Sequence, residues 1–83
     1  MAVLIDMPNI GKVARDLLIQ VGIDTPEKLI SIGSKEAFLR IRMIDTSACL
    51  HMLYGLEGAV QGIRDTLLSL ESKQDLKVFF KKL

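Results

Sequence analysis

The spacing of the apolar residues constrains this sequence more than any other feature. They recur at steps of three and four along most of its length, which is the period of one face of an α-helix. Glycine, proline and short polar groups interrupt the pattern several times, and no alternating β-strand pattern competes with it. The sequence therefore predicts an all-α chain of five or six helices joined by short turns.

The first two helices are predicted between Asn9 and Gly33. The first apolar stripe ends at Gly22, a residue type that tolerates the left-handed conformation of a helix C-terminus. Thr25 and Pro26 then form a helix start, because threonine is a good N-cap and proline costs little at the first helical position. The residues expected to face the core are Ile10, Val13, Ala14, Leu17, Leu18 and Val21 in the first helix, and Leu29, Ile30 and Ile32 in the second.

A third helix is predicted over 35–44 and a last one after Ser72. Ser34 is the expected N-cap of the third helix, and the polar group 45–47 ends it and offers the next N-cap. Ser72 and Asp75 have the spacing of a capping box at the start of the last helix. The residues expected to face the core are Ala37, Phe38, Ile41 and Ile44 in the third helix, and Leu76, Phe79, Phe80 and Leu83 in the last.

Between these two helices the apolar positions follow a seven-residue repeat. Three glycines lie beside the repeat, and each weakens a free-standing helix by about 1 kcal/mol relative to alanine, so a coiled coil is disfavoured. We expect instead a long buried helix that is bent or interrupted around Gly62. The repeat consists of Cys49, Leu53, Leu56, Val60, Ile63, Leu67 and Leu70.

Length and composition restrict the chain to one small globular domain. Its 83 residues are 49% hydrophobic, which is enough for one core and too little for two. A single cysteine cannot form an internal disulfide and favours a reducing compartment. The sequence has no apolar run of ~20 residues and no basic start of a signal peptide. We therefore expect one domain over 1–83, located in the cytoplasm and not bound to a membrane.

Two sets of motifs resemble known families. Segment 7–14, with the sequence MPNIGKVA, resembles the Pro-Gly-Ile-Gly turn of a helix-hairpin-helix element. Asn9 replaces the first glycine of this turn and can still adopt the positive φ that the turn needs, at a steric cost that glycine avoids. Segments 21–33 (VGIDTPEKLISIG) and 53–62 (LYGLEGAVQG) are similar to the C-terminal domain of the TfoX/Sxy competence regulators. This resemblance implies a compact helical unit of the helix-hairpin-helix or SAM-like kind. It also implies a link to the transcription of DNA-uptake genes, here in a stand-alone C-terminal domain.

Nucleic-acid binding is one functional hypothesis. The first amides of the helix after the turn would lie free, and Lys12 and Arg15 would add positive charge for a phosphate. The alternative is a turn that only sets the direction of the chain. Basic residues of the third helix, and Lys73, Lys77, Lys81 and Lys82 of the last helix, would either extend the binding surface or form ordinary solvated faces. The candidate residues are Asn9, Ile10, Gly11, Lys12, Arg15, Lys35, Arg40 and Arg42.

Protein–protein contact is the other functional hypothesis. A stripe of small side chains along the long helix allows close approach, either of a helix of the same chain or of a second copy. Tyr54 and Glu57 lie off the apolar stripe, where Tyr54 could contact a turn or a partner. The stripe consists of Gly55, Ala59, Gly62 and Thr66, and the candidate packing and interaction residues are Tyr54, Gly55, Glu57, Gly58 and Gly62.

Catalysis has little support in the sequence. Cys49 and His51 are the single cysteine and the single histidine, and their side chains would diverge by about 200° on a helix. We expect no enzyme activity, cofactor, metal or small-molecule substrate. The chain is expected to be a regulatory interaction domain that acts through a protein partner or as a homodimer. Direct DNA binding by the hairpin and nearby basic residues is the alternative.

Overall fold

The computed structural model describes residues 3–83 and contains five α-helices in that range. They are α1 (Lys12–Gln20), α2 (Pro26–Ile32), α3 (Ser34–Ile44), α4 (Leu50–Gln61) and α5 (Leu70–Lys81). Short 3-10 turns lie before α1, at Leu4–Asp6, and before α5, at Asp65–Leu67. The described range has no strand, so the all-α prediction is confirmed, while the helix-hairpin-helix or SAM-like assignment stays a prediction.

Two helices end in the same way, on a glycine followed by isoleucine. Gly22 after α1 has φ 84°, and the amide of Ile23 donates to the carbonyl oxygen of Leu18 at 2.8 Å. Gly62 after α4 has φ 76°, and the amide of Ile63 donates to the carbonyl oxygen of Gly58 at 2.9 Å. These bonds form the Schellman motif, which needs a residue that accepts positive φ. Both glycines therefore turn the chain sharply.

The turn at Gly62 corrects the expectation of one long apolar stripe. The interruption expected at this residue is confirmed, because α4 ends there. The repeat does not continue into a buried face, since Leu67 is 68% exposed and Leu70 is 86% exposed. Cys49, the first residue of the repeat, is exposed as well and forms the N-cap of α4.

The helix starts agree with the sequence at one position and differ at three others. The hydroxyl of Thr25 accepts a hydrogen bond from the amide of Lys28, so the predicted cap of α2 is confirmed. Ser34 is the first residue of α3 and makes no cap, because Gly33 with φ 89° precedes it. The cap of α5 is Ser69 rather than the predicted Ser72.

The third correction concerns the polar group before α4. Asp45 does not cap that helix. Its Oδ1 atom accepts hydrogen bonds from the amide and the hydroxyl of Ser47, and these bonds lower the pKa of the Asp45 carboxyl below its ordinary value. This turn leads the chain from α3 towards α4.

The core lies between α1, α3 and α4 and is closed by α2 and α5. Fewer than half of the residues that the pattern assigns to the core are buried, and Phe38 is the largest of them, while others such as Leu17 and Phe80 are half-buried. Val13, Ile30, Ile44 and Leu83 are wrong assignments, because they are 70%, 53%, 51% and 48% exposed. None of the helices within 3–83 combines the length and the apolarity that crossing a bilayer requires. The buried apolar residues are Leu4, Ile10, Leu18, Ile23, Leu29, Ala37, Phe38, Ile41, Ala48, Leu53, Leu56, Ala59, Leu68 and Leu76.

Candidate functional site

Asn9 fixes the N-terminal turn to the middle of α4 and to the turn that follows this helix. Its backbone has φ 67°, the left-handed conformation expected at this position of the turn. Nδ2 donates to the carbonyl oxygens of Gly55 at 3.3 Å and of Ile63 at 3.0 Å. Oδ1 accepts a hydrogen bond from the amide of Asp65 at 3.1 Å. Both ends of the amide are therefore engaged inside the molecule, a role that the turn motif alone did not predict.

Two glycines of α4 make room for this side chain. A Cβ atom placed on Gly58 would lie 2.5 Å from Nδ2 of Asn9 and 2.8 Å from the carbonyl oxygen of Ile63. A Cβ atom on Gly55 would lie 3.4 Å from Cβ of Asn9. At these two positions the small side chains serve packing within the chain, and their partner is a turn rather than another helix.

Glu57 and Tyr54 link α4 to the neighbouring helices. Oε1 of Glu57 accepts a hydrogen bond from the hydroxyl of the buried Ser34 at 2.5 Å, and Oε2 accepts one from Nε2 of Gln61 at 2.6 Å. The hydroxyl of Tyr54 donates to the carbonyl oxygen of Lys73 in α5 at 3.4 Å. Both side chains therefore make contacts inside the chain.

Lys35 and Arg40 of α3 are held by carboxylates of the same chain. Nζ of Lys35 lies 2.8 Å from Oδ2 of Asp75 and 5.4 Å from the ring centre of Phe79. Nε of Arg40 donates to Oε2 of Glu36, one helical turn away, at 3.1 Å. Neither residue lines the groove between α4 and the N-terminal hairpin (residues 7–14), so the structure does not unite them with Lys12 into one basic site.

Arg42, the third basic residue of α3, packs against aromatic rings. Its guanidinium carbon lies 6.0 Å from the ring centre of Phe38 and 5.5 Å from that of Phe80. Nη1 donates to the carbonyl oxygen of Ala48 at 3.2 Å. Arg42 therefore holds α5 and the turn before α4 against α3.

The basic residues of the hairpin itself are more accessible. Lys12 is exposed and pairs with no carboxylate of residues 3–83, whereas Arg15 lies 3.0 Å from its neighbour Asp16. Gly11 is the N-cap of α1, with no side-chain cap, and a Cβ atom placed on it would meet nothing within 4 Å. The first backbone amides of α1 therefore follow a glycine that no other part of the described chain covers. Ile10, in contrast, is buried and contributes to the core.

A groove of about 570 Å³ lies between this hairpin and α4, and we call it the hairpin groove. Its apolar lining is only partly covered by the rest of the chain, and Val13 is 70% exposed. Exposed charged groups also border it, including Lys12 and Arg64. Its lining includes the exposed Lys12, Val13 and Arg64, the half-buried Met52, and the buried Ile10 and Leu56 at its floor.

Cys49, His51 and Asp65 border the same groove. Nε2 of His51 lies 3.7 Å from Oδ2 of Asp65, and the sequence spacing did not predict this contact across the turn. Within residues 3–83, no group of three or more His, Cys, Asp or Glu side chains is arranged to hold a metal ion. The structure thus brings Cys49 and His51 to one groove without forming a metal cluster there.

The sequence matches a known protein-family model over almost its full length. The model of the TfoX C-terminal domain matches residues 1–80. The chain belongs to this family. Among its relatives, Protein Sxy of Escherichia coli (strain K12) is 33% identical over 71 residues, which are 86% of this chain and 34% of Sxy. This TfoX C-terminal domain therefore spans about a third of the length of that relative.

Two crystal structures from Listeria monocytogenes, of an uncharacterized protein in a triclinic form and of a protein of unknown function in a tetragonal form, have the same fold as this TfoX C-terminal domain. The triclinic form is 53% identical, covers 98% of this chain and 92% of that chain, and superposes with a TM-score of 0.97. The tetragonal form is also 53% identical, covers 95% of this chain and 98% of that chain, and has a TM-score of 0.93. Both Listeria structures therefore share the helical arrangement of this chain.

Proposed function

We propose that this TfoX C-terminal domain is a regulatory interaction domain, which acts through protein–protein contacts in the transcription of competence genes. The family match over residues 1–80 is the observation that carries the proposal. The domain shares 71 aligned residues with Sxy, a member of the competence regulators that the sequence motifs resemble. The match covers 34% of Sxy, so in that relative the domain is one part of a longer chain, which fits a role as an interaction module.

The geometry supports a binding role. Asn9, Glu57 and Tyr54 use their polar groups in contacts within the chain, which join the N-terminal turn, α3 and α5 to α4. Beside these contacts, the hairpin groove leaves Val13 exposed and Met52 partly exposed. A packed helical scaffold with an exposed apolar groove is a common arrangement for recognition of another protein.

The regulatory role is tested by measuring transcripts of DNA-uptake genes in the organism that encodes the chain. We expect deletion of the gene to lower these transcripts and an extra copy to raise them. The matched control is a copy with Gly58→Leu, which should fail to complement because the folded hairpin is lost. Unchanged transcripts on both deletion and overproduction would refute the proposal.

Self-association is the second arm of the same proposal, and sedimentation equilibrium tests it. The monomer has a mass of 9.2 kDa, so a homodimer is readily distinguished. If the purified chain stays monomeric at all concentrations that can be measured, self-association is excluded. Contact with a different protein is then the remaining form of the proposal.

Direct DNA binding by the hairpin is a second candidate function. It is favoured by the uncovered Gly11 at the N-terminus of α1 and by the unpaired Lys12 beside it. Anions are stabilised at such a helix end by free amides and by the helix dipole.

Fluorescence anisotropy with duplex and single-stranded DNA tests this candidate. Binding through phosphates should weaken steeply as salt rises. The double variant Lys12→Glu, Arg15→Glu should abolish it while the helical circular-dichroism spectrum is retained. If no DNA binds at low salt, direct DNA binding is excluded.

A further inference from the structure

The hairpin groove combines an apolar floor with unpaired positive charge. The floor includes Ile10, Met52 and Leu56, and Val13 stands beside them with 70% of its surface exposed. The helical period of α1 assigns Val13 to an apolar stripe, but no element of residues 3–83 covers it. The uncovered part of this stripe is therefore available to another molecule.

The charges around the groove favour an acidic partner. Lys12 and Arg64 are exposed, and neither pairs with a carboxylate of residues 3–83. Asp65 is the one acidic side chain in the lining of the groove, and its carboxylate already faces His51 at 3.7 Å. Two cations against one carboxylate leave a net charge of +1 with histidine neutral.

Duplex DNA fits this groove less well than an acidic protein segment does. Specific DNA-binding proteins commonly neutralise about 6–10 phosphates. The groove supplies only Lys12 and Arg64 as free cations, because the three basic residues of α3 are engaged elsewhere. Its apolar floor would also lie against a polar phosphate backbone, whereas protein–DNA interfaces are mainly polar.

We propose that the hairpin groove binds an acidic amphipathic helix of a partner protein. The apolar face of the helix contacts Val13 and Met52, and its flanking carboxylates pair with Lys12 and Arg64. The volume of about 570 Å³ lies within the range of ~300–1,000 Å³ typical of binding pockets and accommodates a few side chains. This inference deepens the proposed function and rests on it for its biological setting.

Fluorescence anisotropy with synthetic peptides tests the inference. The probe is a labelled helical peptide with leucine at positions i, i+3, i+4 and i+7 and glutamate on its flanks. One matched peptide carries lysine in place of each glutamate, and a second carries serine in place of each leucine. We expect the first peptide to bind at least about tenfold more tightly than either the lysine peptide or the serine peptide. Equal binding of the three peptides, or no binding of the first at about 1 mM, would refute the inference.

Variants of the protein locate the binding site. Val13→Glu, and separately the double variant Lys12→Glu, Arg64→Glu, should each weaken binding of the first peptide by about tenfold or more. These side chains are exposed, so the variants should fold, and circular dichroism checks that they do. The matched controls Val78→Glu and Lys77→Glu lie on the exposed side of α5 and should change the affinity by less than about twofold. Unchanged affinity of the groove variants would overturn the inference, and so would tighter binding of duplex DNA at the same groove.

The same variants separate this inference from the proposed function. If the chain controls DNA-uptake transcripts and the groove variants do so equally well, the groove inference fails and the regulatory role stands. If the peptide binds at the groove but the transcripts never respond to the chain, the regulatory role fails and the groove inference stands.

Discussion

Asn9 combines a left-handed backbone with three side-chain hydrogen bonds, and few other residue types can do both. Glycine accepts the backbone conformation, with φ 67°, but has no amide to bond Gly55, Ile63 and Asp65. Alanine lacks the amide and also opposes positive φ. Asparagine thus replaces the glycine of the related turn at a small steric cost and gains long-range contacts.

Substitution of Asn9 should separate these two contributions. Asn9→Gly loses the hydrogen bonds, each worth about 0.5–1.5 kcal/mol, so we expect a loss of roughly 1–4 kcal/mol in the free energy of unfolding. Asn9→Ala should lose about 1 kcal/mol more, because of the strained backbone. Urea-induced unfolding followed by circular dichroism measures both values. Equal stabilities of the two variants would mean that the left-handed conformation costs little here.

Gly58 is the glycine that the Asn9 contact requires. In an open helix, replacing glycine by alanine stabilises by about 1 kcal/mol. At Gly58 the added Cβ atom would lie 2.5 Å from Nδ2 of Asn9, so the same change should instead destabilise by about 2 kcal/mol or more. Gly11→Ala is the control, since its Cβ atom meets nothing within 4 Å, and it should cost less than about 1 kcal/mol. Thermal unfolding compares the two, and a stabilised Gly58→Ala variant would contradict the close packing.

At the level of the elements, the start of α5 is decided by one hydroxyl. Ser69 accepts a hydrogen bond from the amide of Ser72 at 3.0 Å, whereas Ser72 itself lies inside the helix. Ser69→Ala should therefore cost about 0.5–2 kcal/mol, as the loss of an N-cap does elsewhere. Ser72→Ala should cost less, because it leaves that bond in place. Chemical denaturation of both variants decides between the two caps. A larger loss of unfolding free energy for Ser72→Ala would mean that the capping box predicted at Ser72 starts the helix.

The sequence predicted the type of the elements better than their ends. The period of three and four describes which face a helix would bury, and it placed Phe38, Leu53 and Leu56 correctly. The period of apolar residues continues without a break past Gly62. The Schellman turn at this glycine nevertheless redirects the chain and leaves Leu70 exposed. A local pattern contains no information about what lies opposite a helix after such a turn.

The candidate site was less predictable for a related reason. The turn motif identified Asn9 and its backbone conformation from neighbouring residues alone. Its hydrogen-bond partners lie 46, 54 and 56 positions further along the chain, and only the folded molecule brings them together. The exposure of Val13 also depends on tertiary structure. The apolar stripe of α1 includes Val13, but no other element of the described residues packs against it there.

At the scale of the whole molecule, the helices are held unequally. The buried residues of α4 are Leu53, Gly55, Leu56, Gly58 and Ala59. In α5 only Leu76 is buried, and Phe79 and Phe80 are half-buried against the core. The remaining contacts of α5 with α3 are partly exposed, namely the ion pair of Lys35 with Asp75 and the packing of Arg42 on Phe80. Exposed ion pairs of this kind contribute only about 0–1 kcal/mol.

This inequality predicts that α5 opens before the rest of the domain unfolds. Native-state hydrogen exchange should give the slowest amides in α4, and amides of α5 should exchange at a lower opening free energy. Arg42→Lys keeps the charge but weakens the stacking on Phe80, so it should speed exchange in α5 and leave α4 almost unchanged. If α5 instead exchanges only through global unfolding, with the same free energy as α4, then Leu76 and the two half-buried phenylalanines hold it as firmly as the five buried residues hold α4.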